Sequence, residues 1–427
     1  DAWIPNSGSA KLAFTVERWS EGLRYVRSSW GALSGLSLMS AAALLPLFKD
    51  EEAKRRIVVL LSAAATWLLY VIVIGGDIFP AWRHLVVVVV LSCFGVAEGV
   101  RWLAARGPRS RYWTTVGAVA LLSLHLAQQR FDPQIERAHE ERWEWDGAVV
   151  GSFLHRHFGG TGARLAVDSA GALPYFARLT TIDMLGINDR TLATNRPPDF
   201  GRGALGHELG NGDYVLSQKP DLVVFGLPTG QRDALYRSGV EMQQHPSFAR
   251  EYKLVTFETT GSDNGSNTVT AHIWVRVASE RLGYRQDERR IVVPGFMLAV
   301  GQSAAREDGH GRLGTTVSSF APGAIRVPDV PAGCWRVEPS SHGAVLQMSI
   351  RAPGREPLMG GAPTNVALDQ DGAVEVALRP GVPGLSHVTK LVLTRLDGAT
   401  GPARTEEDRR PIRCPPSDAE TESSGRP

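Results

Sequence analysis

The sequence predicts a multi-domain protein in which an α-helical transmembrane bundle of four spans precedes an extracytoplasmic α/β domain and a small all-β, sandwich-like domain. Apolar residues crowd into the first third of the chain, strand-like and helix-like segments then alternate, and short apolar segments separated by Pro and Gly follow. The predicted boundaries are 1–30 for an interfacial amphipathic segment, 31–128 for the four spans, 129–286 for the α/β domain, 287–414 for the β domain and 415–427 for a disordered tail.

The composition limits the possible functions. The chain has 427 residues, enough for two or three domains, and its net charge of +2 argues against a nucleic-acid partner. It begins at Asp1 without an initiator methionine or a signal-peptide core, so we expect further residues upstream. The sequence contains no nucleotide-phosphate loop and no zinc-type spacing of Cys and His.

Residues 1–30 predict a helix that lies in the membrane interface. Phe14, Trp19, Leu23 and Val26 recur at helical spacing, and charged residues stand between them. A soluble amphipathic helix is the alternative.

Four apolar runs supply the predicted spans, at roughly 31–48, 57–74, 85–100 and 113–127. Basic residues are concentrated in Lys49–Arg56 and Arg101–Arg111, whereas the loop between the second and third runs carries only Arg83. Because basic loops stay in the cytoplasm, the loop around Arg83 and the C-terminal domains are predicted to lie outside it. The predicted localisation is therefore a multi-pass protein of the cell membrane.

The loop between the second and third runs is unusually polar for its position. It reads Gly75-Gly-Asp-Ile-Phe-Pro-Ala-Trp-Arg-His84 and holds an acid, an arginine and a histidine at a membrane surface. Asp77 could orient a ligand by accepting a hydrogen bond from its hydroxyl group, or help to hold a divalent cation. In the alternative interpretation, the two glycines simply cap the span and Asp77 is solvated.

Residues 148–277 predict an α/β layer. Ligands on such sheets bind beyond the carboxyl ends of the parallel strands, where Asp168 and Asp183 are expected. Asp168 has an alternative role as the cap of a short helix that begins near Ala170. The predicted helices are 148–158 and 232–238, and the predicted strands are 164–168, 180–185, 221–225, 251–258 and 268–277.

The last part of the chain predicts a small antiparallel sandwich or barrel, because its apolar segments are short and regularly interrupted. Cys334 and Cys414 would form a disulfide if this region lies outside the cytoplasm, and two unpaired thiols are the alternative. Cys93 lies inside an apolar run and is expected to be inert.

Five groups of residues between Asp1 and Gly226 resemble motifs of one family. They are Trp3-Ile-Pro-Asn6 with Ala10-Lys11; Gly75-Gly-Asp77 to Arg83; Asp168 to Tyr175 with Thr181-Ile-Asp183 and Asp189; Gly206-His207-Glu208 with Asp213 to Leu216; and Lys219-Pro-Asp221 to Phe225. In this order they resemble the polytopic GT-C glycosyltransferases of bacteria. Within that family they resemble the actinobacterial terminal β-(1→2) arabinofuranosyltransferases of cell-wall arabinan.

The resemblance implies an inverting transfer of a sugar, with arabinofuranose as the candidate, from a polyprenyl-phosphate donor to a cell-envelope glycan. The donor, the glycan and the lipid bilayer are then the partners, and no nucleic acid is expected. In this family the catalytic acid follows the first span. That region would precede residue 1 here, so the general base is expected upstream and this chain alone is expected to be inactive.

Two sets of site residues follow from the resemblance and from the chemistry of the loops. Arg binds a lipid phosphate bidentately and Lys binds it as a point charge, although interfacial cations also contact ordinary headgroups. The His-Glu pair lacks the second histidine of the zinc-helix motif, so no metal site is predicted. This loop is expected to pack against the membrane part or to border the acceptor groove. The donor-binding candidates are Lys11, Asp77, Arg83 and His84; the acceptor-binding candidates are Asp168, Asp183, His207 and Glu208.

A second class of function remains open. A membrane-anchored, non-catalytic module that binds envelope polysaccharide would need the same spans and the same outer domains. A sensor ectodomain on a membrane anchor is the weaker third possibility.

Overall fold

The computed structural model describes residues 5–41, 44, 51–261, 268–396, 412, 414 and 415. The chain divides into two compact units. Unit 1 comprises Asp1–Arg142 and Arg190–Leu209, and unit 2 comprises Trp143–Asp189 and Gly210–Pro427.

Side-chain caps set the first residues of several helices. Thr15 accepts a hydrogen bond from the Arg18 amide at 3.2 Å, and Asp132 accepts one from the Gln134 amide at 2.7 Å. The α-helices are α1 (Asn6–Lys11), α2 (Val16–Ser28), α3 (Trp30–Ala41), α4 (Glu51–Ile74), α5 (Val86–Ala104), α6 (Pro108–Arg130), α7 (Pro133–Glu140), α8 (Trp143–Phe158), α9 (Ala172–Ala177), α10 (Arg190–Thr194), α11 (Gly212–Ser217), α12 (Arg237–Gln244) and α13 (Pro246–Glu251).

Two helical stretches of unit 1 are long and apolar enough to cross a membrane. They are α4 and Arg83–Ala104, in which a single 3₁₀ turn leads into α5. Large apolar side chains on both stretches are exposed, including Val59, Leu69 and Val90. Water would disfavour such surfaces, whereas lipid would not.

The prediction of a four-span bundle is wrong, because only these two helices of the described residues combine the required length and apolarity. The predicted fourth span does form one continuous helix, α6, but Thr114, Ser123 and Gln128 are among the polar residues that dilute its apolar character. The predicted first span begins as α3, and most of its continuation beyond Ala41 lies outside the described residues.

The described residues of unit 2 form two sheets. The first is mixed, with the order β14-β11-β16-β9-β8-β4-β5-β3-β1-β2, while β7 pairs with β16 and β6 with β7; the second has the order β10-β15-β12-β13. The strands are β1 (Arg164–Val167), β2 (Thr180–Asp183), β3 (Leu222–Val224), β4 (Tyr252–Thr260), β5 (Thr268–Arg276), β6 (Arg285–Gln286), β7 (Arg290–Pro294), β8 (Ala305–Glu307), β9 (Leu313–Val317), β10 (Gly323–Val330), β11 (Gly333–Gly343), β12 (Leu346–Arg351), β13 (Leu358–Gly361), β14 (Thr364–Leu368), β15 (Gly372–Pro380) and β16 (Ser386–Arg395).

The large mixed sheet also corrects the predicted fold class, which placed an α/β domain before a separate sandwich. The parallel strands β1, β2 and β3 and the antiparallel pair β4–β5 share one sheet with most of the C-terminal strands. The connection is the parallel pairing of β4 with β8, in which Phe257 lies opposite Ala305. A pairing between strands so far apart in sequence leaves no local pattern from which it could be predicted.

The parallel strands are buried on both faces. On β3, Leu222 and Val224 belong to the larger core, whereas Val223 belongs to a second core on the opposite face. The larger core continues between the two sheets, where it includes Trp335 and Val376. Burial on both faces explains why this strand reads as an unbroken apolar run in the sequence.

Cys334 and Cys414 form a disulfide whose Cα atoms are 5.5 Å apart. The interpretation of these two cysteines as a disulfide is therefore confirmed, and the alternative of two unpaired thiols is wrong. The predicted disordered tail lies, after Pro415, outside the described residues.

The insertion 190–209 interrupts the sequence of unit 2 but belongs to unit 1. Its helix α10 packs against α1, and Arg196 Nη2 donates to the carbonyl oxygen of Ser9 at 2.7 Å. The hydroxyl of Thr15 donates to the carbonyl oxygen of Gly201 at 2.6 Å. These contacts bring the His207-Glu208 motif to the N-terminal helices.

Candidate functional site

The Gly75-Gly76 pair ends α4 in a tight turn. The amides of Gly75 and Gly76 donate to the carbonyl oxygens of Ile72 and Val71 at 3.1 and 2.9 Å. Both glycines have left-handed backbones, with φ of +91° and +80°. A Cβ atom at Gly75 would overlap the side chain of Arg18, and one at Gly76 would overlap Tyr25. The two glycines therefore cap the helix and also let α2 approach the turn closely.

Asp77 is held by its own loop. Its side chain is only 5% exposed and forms an ion pair with Arg83, whose Nη2 lies 3.1 Å from Asp77 Oδ1. Asp77 Oδ1 also accepts hydrogen bonds from the amides of Ile78 and Phe79 at 2.9 and 3.3 Å. His84 Nε2 lies 3.7 Å from Asp77 Oδ2. The carboxylate is thus paired rather than solvated, and it fixes the position of Arg83.

Arg83 keeps part of its surface available. Its side chain is 51% exposed, and its guanidinium carbon lies 4.0 Å from the ring centroid of Phe79. The loop around it is anchored at Trp82, whose Nε1 donates to Asp132 Oδ2 at 3.3 Å, and at His84, whose carbonyl oxygen accepts from Trp67 Nε1 at 2.6 Å. The loop therefore presents a fixed cation at the end of two apolar helices.

Glu208 forms the second half of the site in unit 1. Its Oε1 accepts hydrogen bonds from the amides of Gly201 and Gly203 at 2.9 and 2.6 Å, and its Oε2 forms a buried ion pair with Arg18. Because both oxygens are occupied, Glu208 orders its own loop and neutralises Arg18. It acts as a positioning residue rather than as a free carboxylate.

His207 and Lys11 are neighbours in unit 1. Burial lowers the pKa of His207, and the nearby charge of Lys11 lowers it further. His207 is therefore neutral near pH 7 and can accept as well as donate a hydrogen bond. The side chain of Lys11 lies beside Gly206, where a Cβ atom would be 3.4 Å from Lys11 Cε.

The structure thus brings three separate motifs of the sequence together in unit 1. Lys11 meets the His207-Glu208 loop, and the buried Arg18 contacts both Glu208 and Gly75. In the sequence, Arg18 is one of the charges between the apolar positions of the predicted amphipathic helix. A single arginine on such a helix gives no sequence signal of burial, so this residue could only be found from tertiary contacts.

Asp168 and Asp183 lie in unit 2, at the carboxyl ends of β1 and β2 as predicted. Asp168 Oδ2 accepts from the amide of Gly226 at 2.7 Å, and its buried Oδ1 has no hydrogen-bond partner. Burial raises the pKa of Asp168 to about 7, and the nearby Asp183 contributes. Asp168 does not cap a helix, since α9 begins only at Ala172 and has no side-chain cap.

Both carboxylate oxygens of Asp183 accept hydrogen bonds from backbone amides of the turn that follows β2. Its Oδ1 accepts from the amide of Leu185 at 3.0 Å and its Oδ2 from the amide of Asn188 at 2.6 Å. Burial raises the pKa of Asp183 although both amides oppose the shift. Asp183 therefore closes the turn after β2, and of the two predicted acids only Asp168 keeps an unused oxygen.

A groove of about 1560 Å³ in unit 2 lies between β4–β5 and the second sheet. The indole of Trp274 lines it, together with the basic side chains of Arg232 and Arg326 and the acid Glu375. Lys253 reaches the groove wall and donates to the carbonyl oxygen of Met297 at 2.5 Å and to that of Ala324. The volume exceeds that of a typical small-molecule pocket and suits a segment of a polymer.

Within the described residues, no group of three or more His, Cys, Asp or Glu side chains is placed to hold a metal ion. The cations of unit 1 and the orphaned oxygen of Asp168 are instead suited to binding phosphate and hydroxyl groups.

A domain family of unknown function, DUF8728, matches residues 133–276. The match begins at the first residue of α7 and ends at the last residue of β5, so it includes Asp168, Asp183 and the insertion. It covers less than half of the chain. No curated protein matches the sequence.

Proposed function

We propose that the chain is part of a membrane glycosyltransferase that moves a sugar, with arabinofuranose as the candidate, from a polyprenyl-phosphate donor to a cell-envelope glycan. The observation that supports this proposal best is the meeting of Lys11, the Gly75–His84 loop and the His207-Glu208 loop in unit 1. These are motifs on which the resemblance to GT-C glycosyltransferases rests, and their clustering is what a shared donor site requires.

The proposed topology has α4 and α5 crossing the membrane with the Gly75–His84 loop outside. The cytoplasmic ends are basic, with Lys54, Arg55 and Arg56 at one and Arg101 and Arg106 at the other. The disulfide supports an oxidising compartment for the C-terminal strands, because such bonds are rare in the cytoplasm.

In this proposal the cations of unit 1 bind the donor. Lys11 and Arg83 would face the phosphate, and His84 would add a hydrogen bond. Asp77 and Glu208 would position Arg83 and their own loops, since their oxygens are already occupied. In unit 2, Asp168 would contact a hydroxyl group of the glycan, whereas Asp183 shapes the turn beside it.

The test measures sugar transfer from a synthetic polyprenyl-phosphate arabinofuranose. It uses membranes from cells that express this chain together with any upstream coding sequence. We expect Asp77→Asn to lower the transfer rate at least about tenfold, because Arg83 would lose its charged partner. Glu21→Gln is the matched control, since Glu21 is exposed and pairs with the exposed Arg24 at 2.8 Å. Wild-type turnover in Asp77→Asn at equal membrane abundance would remove Asp77 from the site.

The groove in unit 2 favours a second candidate, a membrane-anchored module that binds polysaccharide without catalysis. Aromatic rings and planar polar side chains such as those of Trp274, Arg326 and Glu375 are suited to sugar faces and hydroxyl pairs. Arg326→Ala should then weaken the binding of arabinan oligosaccharides severalfold, whereas Arg379→Ala, on β15 outside the groove, should not. Binding without any transfer activity would support this candidate over the enzyme.

A further inference from the structure

Strand β10 is an edge strand of the second sheet, and its free side borders the groove of unit 2. Among the described strands, β15 is its one hydrogen-bonded neighbour in that sheet. Ala324, Arg326 and Pro328 of β10 line the groove, whose volume is about 1560 Å³. An edge strand presents a row of backbone donors and acceptors with which a further strand can pair. On β10 this row faces the groove.

A contact of Lys253 shows which backbone groups of β10 point into the groove. The residue lies on β4, and its Nζ donates to the carbonyl oxygen of Ala324. The carbonyl group of Ala324 therefore points away from β15. Because backbone groups two positions apart lie on the same side of a strand, the amide and the carbonyl of Arg326 also face the groove. Within the described residues, neither group forms a backbone hydrogen bond outside the strand ladders.

The free edge of β10 has two defined ends. At its start, Lys253 already occupies the carbonyl oxygen of Ala324. At its end, Pro328 has no N–H, the pairing with β15 shifts its register after Val327, and Asp329 has a left-handed backbone with φ of +49°. A further strand can therefore pair with β10 between these two points, and Arg326 lies at the centre of that stretch.

The charges of the groove indicate which ligand it attracts. Its described lining holds six Lys and Arg side chains and three Asp and Glu side chains, so positive charge is in excess. Arg326 and Arg351 both lie opposite Glu375 in the strand register, and Glu375 forms its ion pair with Arg351, at 3.9 Å. Within the described residues, Arg326 and Arg232 have no ion pair. Unpaired guanidinium groups of this kind bind carboxylates.

The opposite wall of the groove is partly apolar. Leu254 on β4 and Trp274 on β5 line it, and both side chains are half-buried. The indole N–H of Trp274 donates to the carbonyl oxygen of Arg232 at 3.1 Å, which fixes the ring beside that arginine. An extended ligand could thus place apolar groups against this wall and carboxylates against the two arginines.

We infer that this groove binds an extended, acidic polypeptide segment of a partner protein, which adds a strand to the free edge of β10. The backbone of the segment accepts a hydrogen bond from the amide of Arg326 and donates one to its carbonyl oxygen. Carboxylates of the segment bind the guanidinium groups of Arg232 and Arg326. A polysaccharide has no alternating N–H and C=O groups at the repeat of a strand, so the free edge favours a polypeptide. This inference does not depend on the proposed sugar transfer.

The experiment measures the binding of a fluorescein-labelled peptide of alternating Glu and Val to the full chain in nanodiscs, by fluorescence anisotropy. We expect saturable binding, and its absence up to about 1 mM would overturn the inference. The same peptide with N-methylated backbone amides keeps its charges but cannot donate to a strand edge. It should bind at least about tenfold more weakly, and equal affinity would exclude strand addition. A peptide of alternating Lys and Val should not bind, and equal binding would exclude the role of charge.

Two substitutions at one position separate the charge from the strand pairing. Arg326→Gln removes the guanidinium but keeps the backbone amide, and the affinity should fall severalfold. Arg326→Pro removes both, and the affinity should fall at least about tenfold below that of Arg326→Gln. Because this N–H faces the groove, proline at this edge position spares the ladder with β15. Equal affinities in these two variants, at equal melting temperatures, would show that the free edge is not used.

Arg379→Gln is the matched control, because Arg379 lies on β15 of the same sheet and outside the groove. It should bind the peptide as the wild type does, and an equal loss there would reduce the effect at Arg326 to the general charge of the sheet. An arabinan oligosaccharide is the competing probe. We expect it to leave the peptide bound at equal concentration, whereas displacement that weakens in Arg326→Gln would assign the groove to a glycan and overturn the inference.

The comparison of the two peptides does not depend on how well the variants fold. If Arg326→Pro melts at a lower temperature than Arg326→Gln, the N-methylated peptide alone decides whether backbone pairing occurs, since it is measured on the wild-type chain.

Discussion

Two buried acids lie at opposite edges of the same parallel strands in unit 2, and they differ strongly in the number and charge of their hydrogen-bond donors. Asp221 precedes β3 and accepts from Arg276 Nη2 and Ser279 Oγ at 2.6 Å each, from the Arg164 amide at 2.8 Å and from Arg281 at 3.3 Å. Asp168, which follows β1, has one amide donor and no cation.

The difference shows that the partners of a buried carboxyl group decide whether the effect of burial on its pKa prevails. Burial opposes ionisation of Asp221, but the hydrogen bonds and charges around it outweigh that effect and lower its pKa. Burial raises the pKa of Asp168 to about 7, since a single amide opposes the shift and the nearby Asp183 adds to it. At the amino edge of the strands, the partners of Asp221 therefore stabilise the fold. At the carboxyl edge, Asp168 has an oxygen without a hydrogen-bond partner, as is expected of a ligand site.

The largest expected effect is at the amino edge. Asp221→Ala should lower the free energy of unfolding by about 3–5 kcal/mol, because it leaves Arg276 without its buried partner. Urea titration of the full chain, followed by tryptophan fluorescence, would measure the loss. Asp213→Asn, at an exposed position on α11, is the control and should change little. A loss below about 1 kcal/mol in Asp221→Ala would show that the network contributes little.

The second effect is a pH dependence at the carboxyl edge. Because the pKa of Asp168 in the folded chain is raised above its unfolded value, its contribution to stability is full below about pH 4 and is lost as the pH rises towards 7. The free energy of unfolding should thus fall by about 2–3 kcal/mol between pH 5 and pH 7, and Asp168→Asn should remove that fall. Parallel pH profiles for wild type and variant would refute a neutral Asp168.

Asp221 should give the opposite slope. Its pKa is lowered on folding, so its contribution is full above the unfolded value near pH 4 and disappears as the pH falls further. Acid unfolding below pH 4 should therefore persist in Asp168→Asn. If that variant resisted acid, the two edges would not act independently.

The smallest effect concerns Asp183. Asp183→Asn replaces one of two accepting oxygens with an amide group and should cost about 1 kcal/mol. Faster hydrogen exchange at the amides of Leu185 and Asn188 would localise the change. Unchanged protection of both amides would show that the turn does not need this carboxylate.

Much of the local structure of unit 2 was predictable. The predicted strands at 164–168 and 180–185 correspond to β1 and β2, and those at 251–258 and 268–277 to β4 and β5. Apolar runs bounded by turn residues signal such strands. The helix predicted at 232–238 is wrong, because α12 begins only at Arg237 and continues to Gln244. The few apolar residues of this segment do not recur at a spacing that shows where the helix begins.

The candidate site was predicted less completely. The motif residues of unit 1 were found, but their roles depend on partners that no spacing reveals. Asp77 pairs with Arg83 within its own loop, whereas Glu208 pairs with an arginine 190 positions away in the sequence. Arg18 was missed for the same reason, since an amphipathic pattern does not show which polar residue will be covered.

The sequence by itself determined the elements that depend on neighbouring residues: the apolar helices α4 and α5, the polar loop between them, and the strand ends that carry Asp168 and Asp183. Only the tertiary structure decided that the insertion 190–209 belongs to unit 1 and that one mixed sheet joins the parallel and antiparallel strands. Local periodicity records which face of an element is apolar. It does not record which distant segment covers that face, and that covering sets the burial and charge of each side chain.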